Sequence, residues 1–295
     1  MKVGFIGLGN MGLPMAKNLV NAGYEVVGKN RSKGKEELFA EAGGKIGLSV
    51  AEMAQKLDVI LTCLPLPVDV EKIYFGEDGL IENGHEGLIL VDHSTVAPGL
   101  NKKIVQAANS KGIEFLDAPI SGGNFGAEDG TLTIMVGGKK EIFEKALPLF
   151  NVMGKNIYHI GETGSGSVVK LINNLMVAFH TQAVSEAVTL GKKMGVDSDF
   201  LFNILNNSYA QSRIYDRHYN NFIAKNQFEA GFAIKLLHKD MKLAEEMASG
   251  AGMELPIGTK LTNLLSDAIE NGLGEQDMSA LYVLLNNTLE NKGEL

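Results

Sequence analysis

The sequence predicts an α/β domain with a mostly parallel sheet, followed by an all-α domain. Three observations lead there. Through the first half, short apolar runs alternate with helical patterns, the order that places helices on both faces of a parallel sheet. After Gly161-Glu162-Thr163-Gly164-Ser165-Gly166 no strand signal recurs, and apolar residues keep helical spacing to the end. At the start, the strand-like Lys2-Val3-Gly4-Phe5-Ile6 runs straight into Gly7-Leu8-Gly9-Asn10-Met11-Gly12 and then into a helical stretch. The boundary falls near residue 162, giving domains of 1–162 and 163–295.

Taken in order, strands are expected at 2–7, 24–29, 57–63, 88–93, 113–118, 131–137 and 156–160, and helices near 11–22, 35–42, 49–56, 98–111 and 140–150. The run Val59-Ile60-Leu61-Thr62-Cys63-Leu64 suits a strand covered on both faces. In the second half, helices break at Gly195, around Ser208, around Gly231, at Gly252 to Pro256 and at Gly272 to Gly274. The first of them, about Ser165 to Met194, is apolar around most of its circumference, so it has to be covered between domains or at a subunit interface. No internal repeat or low-complexity segment is present.

The glycine run carries the first functional signal. Between a strand and a helix, Gly7 permits a tight turn, Gly9 lets backbone approach a pyrophosphate, and Gly12 lets the helix pack closely on the strand. The helix N-terminus then offers N–H groups to phosphate. An ordinary glycine turn is the plainer reading, but the strand-turn-helix context makes this a Rossmann-type dinucleotide-binding domain. The next strand ends at Lys29-Asn30-Arg31-Ser32-Lys33 without the carboxylate that would hold a ribose 2′-hydroxyl. Arg31 can fork onto a phosphate, and Asn30 and Ser32 can add hydrogen bonds. NADP(H) is therefore the expected cofactor, with NAD(H) as the alternative; a solvated basic turn would contain the same residues.

Bulk properties narrow the class. The chain has 295 residues, 45% of them hydrophobic, and a net charge of -8. That charge, with no basic tract beyond 29–35, argues against nucleic acid as a partner. Cys63 cannot form an internal disulfide and reads as a buried structural thiol. No apolar stretch suffices to span a membrane, and a strand at the N-terminus leaves no room for a signal peptide, so a cytoplasmic protein is expected. The six histidines show no metal-ligand spacing, and no metal is expected. His180, on the apolar helix, reads as an interior histidine.

That helix also places Lys170, Asn173 and Asn174 among apolar residues. Lys170 and Asn174 are four apart and share a face. A buried lysine is able to exchange a proton near neutrality; a lysine snorkelling to solvent is the alternative.

Together the motifs resemble the β-hydroxyacid dehydrogenase family, which includes 3-hydroxyisobutyrate dehydrogenase, tartronate semialdehyde reductase and the NADPH-dependent glyoxylate and succinic semialdehyde reductases. Gly7 to Leu19 is similar to its cofactor signature. Asp92-His93-Ser94-Thr95, Asp117 to Gly123, Gly164 to Asn174 and Lys239 to Ala244 match four further blocks in order. The resemblance implies that Lys170 is general acid in reduction and base in oxidation, and that Asn174 helps hold substrate. It implies that Ser121, Gly122 and Gly123 bind a substrate carboxylate, where a glycine pair exposes N–H groups to an anion. It also implies that Leu64, Pro65 and Thr95 line the cofactor, that Lys239 reaches it, that Asp240 orients lysine or substrate, and that Phe232 forms an apolar wall.

The activity expected is reversible hydride transfer between the nicotinamide and a small aldehyde acid or hydroxyacid by a homodimer or homotetramer. The competing reading is a non-catalytic dinucleotide sensor, which would have no use for Lys170. Imine reduction is disfavoured because that group usually lacks this lysine, and decarboxylating phosphogluconate oxidation because it uses a longer helical domain. Arg213 and Arg217 are candidates for a second acidic group on the substrate.

Overall fold

The computed structural model describes residues 1–229 and 231–293. The chain forms two compact units, Met1–Lys170 and Leu171–Leu295. The division falls inside one long helix, so each unit is described by itself.

The first unit is built on a sheet of eight strands: β1 (Lys2–Ile6), β2 (Glu25–Lys29), β3 (Val59–Thr62), β4 (Ile89–Asp92), β5 (Glu114–Asp117), β6 (Ile120–Ser121), β7 (Leu132–Gly137) and β8 (Gly154–Gly161). Strands β2-β1-β3-β4-β5 are parallel neighbours, with Val3 opposite both Val26 and Val59. Strand β7 is antiparallel to β5 and β6 and parallel to β8. Every residue of β3 and of β4 is buried, as a continuous apolar run requires. One face of the sheet packs Phe5, Met15, Leu19 and Phe150, and the other Ile60, Leu90, Tyr74 and Phe115.

The helices are α1 (Gly12–Asn21), α2 (Lys33–Glu41), α3 (Val50–Lys56), α4 (Pro67–Phe75), α5 (Leu80–Asn83), α6 (Pro98–Asn109), α7 (Gly123–Glu128) and α8 (Lys140–Met153). Helices α4, α5 and α7 and strand β6 have no counterpart in the sequence pattern. They are too short to show a period; α4, for instance, begins on a proline and buries only Val70 and Tyr74. Helix α3 starts on a clear signal, since Ser49 and Glu52 form a reciprocal capping box.

The second unit is helical. Helix α9 (Ser165–Lys193) starts in the first unit and continues here, followed by α10 (Ser198–Asn206), α11 (Arg213–His218), α12 (Ile234–Gly250), α13 (Pro256–Ala268) and α14 (Leu281–Gly293). Single π-helical turns at Tyr219–Ile223 and Ile269–Leu273 extend α11 and α13. Its core includes Val184, Val188, Tyr215, Phe222, Leu237, Met241 and Leu265. The only β pairing among its described residues is one antiparallel bridge between Ala233 and Asp277. Within the chain α9 is not covered all round: Ile172 and Met176 are 49% exposed and Leu190 64%. No helix of the described residues is long and apolar enough to cross a membrane.

Candidate active site

In the first unit, β1 lies between β2 and β3, and the crevice beyond the ends of its strands is where ligands settle in such sheets. The three glycines there do different things. Gly7 has φ of 99°, and a Cβ on it would lie 2.3 Å from the Cys63 carbonyl oxygen. A Cβ on Gly12 would lie 1.8 Å from the Gly7 oxygen, so only glycine lets α1 descend onto the turn. A Cβ on Gly9 would meet nothing within 4 Å. Open space at Gly9 is the cradle a pyrophosphate needs, and a dinucleotide fits these residues. Leu8 is buried, whereas Asn10 is exposed and Met11 half-buried. Cys63 is also only half-buried at this edge, not a fully buried thiol.

The end of β2 is organised by a residue the sequence reading missed. Glu36, on α2, accepts the Asn30 N–H at 2.8 Å and lies 3.3 Å from the Lys29 ammonium. Asn30 is turned inward: its Oδ1 accepts the Leu8 N–H at 2.9 Å, and its Nδ2 reaches Ser32. The Asn30 oxygen thus braces two loops, and the Nδ2 group is the donor of this side chain on the exposed side, beside Ser32. Lys29 is committed to Glu36, which leaves Arg31, Ser32 and Lys33 exposed. No local pattern marks Glu36, because its partners lie outside its own helix.

At the ends of β3 and β4, Asp92 Oδ1 accepts from the Thr62 hydroxyl at 2.7 Å and the Ser94 hydroxyl at 2.6 Å. Ser94 in turn accepts the Leu64 N–H at 2.9 Å. This network ties the Leu64-Pro65 loop to the Ser94-Thr95 loop, fixing both expected cofactor-lining segments. Beside it, His93 is buried, with Nδ1 2.7 Å from the Ala118 oxygen. Burial pushes its pKa down to about 4, so the ring is neutral.

The Ser121-Gly122-Gly123 segment leaves β6 with φ of 142° at Gly122 and 64° at Gly123. Both glycines are exposed and Ser121 is half-buried. Helix α7, which follows, is held at its far end by Asn18 of α1, whose Nδ2 donates to the Ala127 oxygen at 2.8 Å.

Lys170 is 9% exposed, one turn beyond Ser167 on α9. That helix begins with Gly164 in the capping position, which has no side chain to give. Asp117, at the end of β5, supplies the cap: Oδ1 accepts the Gly164 N–H at 2.6 Å and Oδ2 the Ser167 N–H at 2.9 Å. Burial raises the Asp117 pKa, against the lowering effect of those N–H groups. Asn101 adds a buried hydrogen bond to the Ser167 hydroxyl at 2.7 Å.

In the second unit Asn174 is 2% exposed, and its Nδ2 donates to Asp240 Oδ2 at 2.6 Å. Its Oδ1 accepts from Asn173 at 2.9 Å. The Lys239 ammonium lies 3.0 Å from Asp240 Oδ1. The carboxamide of Asn174 is thereby held in one orientation. Phe232 is half-buried nearby in sequence, and its N–H donates to Asp277 Oδ2 at 2.8 Å.

Arg217 does not serve as a free anion ligand. Its guanidinium grips Asp277 through Nη1 at 3.0 Å and Nη2 at 2.6 Å and lies 4.6 Å from the Phe222 ring centroid. Asp277 is buried, and a buried carboxylate without a cation is costly. Arg213 is exposed. His180 is half-buried, while the fully buried histidine of this unit is His218, between Arg217 and Thr181. Among the described residues no cluster of three His, Cys, Asp or Glu side chains could hold a metal.

Comparison with known proteins agrees with this arrangement. Residues 2–161 match the family described as the NAD binding domain of 6-phosphogluconate dehydrogenase. Residues 164–285 match the one described as NAD-binding of NADP-dependent 3-hydroxyisobutyrate dehydrogenase. The chain belongs to the β-hydroxyacid dehydrogenase family. Among β-hydroxyacid dehydrogenases it is 38% identical to 2-(hydroxymethyl)glutarate dehydrogenase of Eubacterium barkeri over 95% of this chain and 93% of that one. It is 37% identical to 2-hydroxy-3-oxopropionate reductase of Escherichia coli, over 97% of each. The solved 3-hydroxyisobutyrate dehydrogenase of Mycobacterium tuberculosis with L-serine superposes with a TM-score of 0.87 at 29% identity, covering 96% of this chain and 98% of that one. This β-hydroxyacid dehydrogenase is therefore an NAD(P)-dependent hydroxyacid dehydrogenase with a Rossmann-type domain followed by a helical one.

Proposed function

We propose that the enzyme reduces a short aldehyde acid with NADPH, and oxidises the matching hydroxyacid in reverse, with Lys170 as proton donor and acceptor. The observation that carries this is the burial of a lysine on α9, one turn from a helix start fixed by a strand carboxylate. The bound nicotinamide supplies or takes the hydride. As the carbonyl oxygen gains negative charge, the Lys170 ammonium gives it a proton; in oxidation the neutral amine takes the proton from the alcohol. Asn174, its carboxamide oriented by Asp240 and Asn173, hydrogen-bonds the substrate. Lys239 reaches the cofactor and Phe232 lines the substrate. Ser121 and the N–H groups at Gly122 and Gly123 take the carboxylate.

Two features support the choice of substrate and coenzyme. The relatives' names share a primary alcohol or aldehyde two bonds from a carboxylate carbon, the class that holds tartronate semialdehyde and 3-hydroxyisobutyrate; glyoxylate and succinic semialdehyde are shorter and longer analogues. The exposed Arg31 and Ser32, with the neighbouring Glu36 carboxylate already engaged by the Asn30 N–H and the Lys29 ammonium, favour a 2′-phosphate. Residues 1–162 form the NADP-binding domain, which also lends the 121–123 segment to the substrate carboxylate, and 163–295 the substrate and oligomerisation domain. The exposed stripe at Ile172, Met176 and Leu190 receives a second subunit, giving a homodimer or homotetramer; light scattering tests this.

The decisive assay is a panel of short aldehyde acids with NADPH and NADH, repeated on Lys170→Ala. Loss of about 100-fold or more in kcat is expected, the range of a removed general acid. Undiminished turnover in the variant overturns the proton-transfer role, and equal kcat/KM with the two coenzymes overturns the NADPH preference.

A further inference from the structure

The blocks Asp117 to Gly123 and Gly164 to Asn174 stand far apart in sequence, yet one carboxylate joins them. Asp117 lies four residues before Ser121 and receives the first N–H groups of the helix that carries Lys170. The seat around it is tight. A Cβ on Gly166 would lie 2.2 Å from the Met135 oxygen and 2.9 Å from Asp117 Oδ2, and a Cβ on Gly137 would lie 2.5 Å from Asp117 Oδ1. Two glycines thus clear room for the helix to descend onto the sheet, and Gly164, with φ of 96°, turns the chain into it. Asp117 brings a negative charge to this terminus, whereas Asn101 bonds the Ser167 hydroxyl, not the backbone.

We infer that Asp117 is a positioning residue for the reaction, setting the register of α9 against the sheet so that the Lys170 ammonium lies at a fixed distance from the carboxylate-binding segment at Ser121. Gly164 and Ser167 are held directly, and Lys170 follows Ser167 by one rigid turn. A carboxylate accepts at both places; an amide of the same shape accepts at one and presents N–H groups to the other. Misplacing a reacting group by about 1 Å costs on the order of 100-fold in rate. Strands β3 and β4 lie between β5 and both the glycine turn on β1 and the basic end of β2, so the pyrophosphate and adenosine contacts, and with them most of the NADPH affinity, are expected to persist.

The inference rests on Lys170 as proton donor, and the experiment separates the two. In Asp117→Asn, kcat is expected to fall about 100-fold with the dissociation constant for NADPH, from fluorescence titration, within about twofold. The isotope effect with deuterated NADPH is expected to rise as the chemical step becomes limiting, a change that lower stability alone does not produce. In Lys170→Ala, adding Asp117→Asn is expected to cost nothing more, because there is no ammonium left to place. Gly166→Ala, which displaces the same helix start without touching charge, is expected to repeat the split between kcat and NADPH affinity and covers the case in which Asp117→Asn does not fold. Wild-type turnover in either folded variant, parallel loss of NADPH affinity, or additive losses with Lys170→Ala overturns the positioning role. An active Lys170→Ala overturns the underlying assignment instead.

Discussion

Replacing Arg217 with methionine removes the charge together with the guanidinium that lies over the Phe222 ring, and leaves an unbranched apolar side chain. Asp277 then keeps three hydrogen bonds, from Ser279 N at 3.0 Å, the Ser279 hydroxyl at 2.8 Å and Phe232 N at 2.8 Å, but loses its counter-ion while fully buried. Breaking a buried pair in this way costs about 3–5 kcal/mol. The unfolding entropy for a unit of the size of Leu171–Leu295 is about 0.26 kcal/mol/K, so its transition falls by roughly 12–19 °C. The sign with pH follows from the carboxyl itself. Burial works to raise its pKa, but Arg217 and Ser279 hold it below the ordinary 3.8. In the wild type the pair therefore contributes stability above pH 3.8 and loses it only as pH falls below that value. In Arg217→Met burial is unopposed by a cation, so protonation relieves the strain, and the gap between the two proteins narrows as the solution is acidified. Calorimetry at pH 7 and at successively lower pH measures both effects. A transition within about 2 °C of wild type at pH 7 would show the pair to be worth no more than a surface contact, and a raised KM with unchanged stability would restore Arg217 as a substrate ligand.

Three further outcomes are expected. Gly12→Ala pushes a Cβ to 1.8 Å from the Gly7 oxygen, so the turn shifts and NADPH affinity drops by at least about tenfold; an unchanged titration curve would mean that the close approach does not shape the cradle. Glu36→Gln keeps an acceptor for the Asn30 N–H but frees the Lys29 charge, raising kcat/KM for NADPH over NADH by about threefold or more at low salt and less at high salt; a ratio insensitive to the substitution refutes the role given to Lys29. His93, neutral with a pKa of about 4 in the fold against 6.5 free, adds stability that is complete above pH 6.5 and is lost as pH falls from 6.5 toward 4, up to about 3 kcal/mol. His93→Leu should flatten acid destabilisation in that window, and an unaltered slope counts against it.

Some of this protein was determined by the order of its residues alone. Periodicity distinguished buried strands from amphipathic helices, because side-chain direction repeats every two or 3.6 residues regardless of distant partners. The glycine turn was readable for a similar reason: Gly12 is demanded by Gly7 and Phe5 close by in the chain and Gly7 by its own φ of 99°, although the atom a side chain there would strike, the Cys63 oxygen, lies far along the sequence. Lys170 and Asn174 announced themselves as polar groups on an apolar helix. Tertiary structure alone decided the partners. Asp117 caps a helix 47 residues away, Asn174 meets Asp240 across 66, and Arg217 meets Asp277 across 60. An arginine in sequence reads equally as an anion ligand or as half of a buried pair, and only the carboxylate that folding brings to it settles which. Likewise nothing local showed that the Asn30 oxygen would accept the backbone N–H of Leu8, delivered by the neighbouring strand. Charges and amides are satisfied by whatever lies near in space, and chain separation places no bound on that.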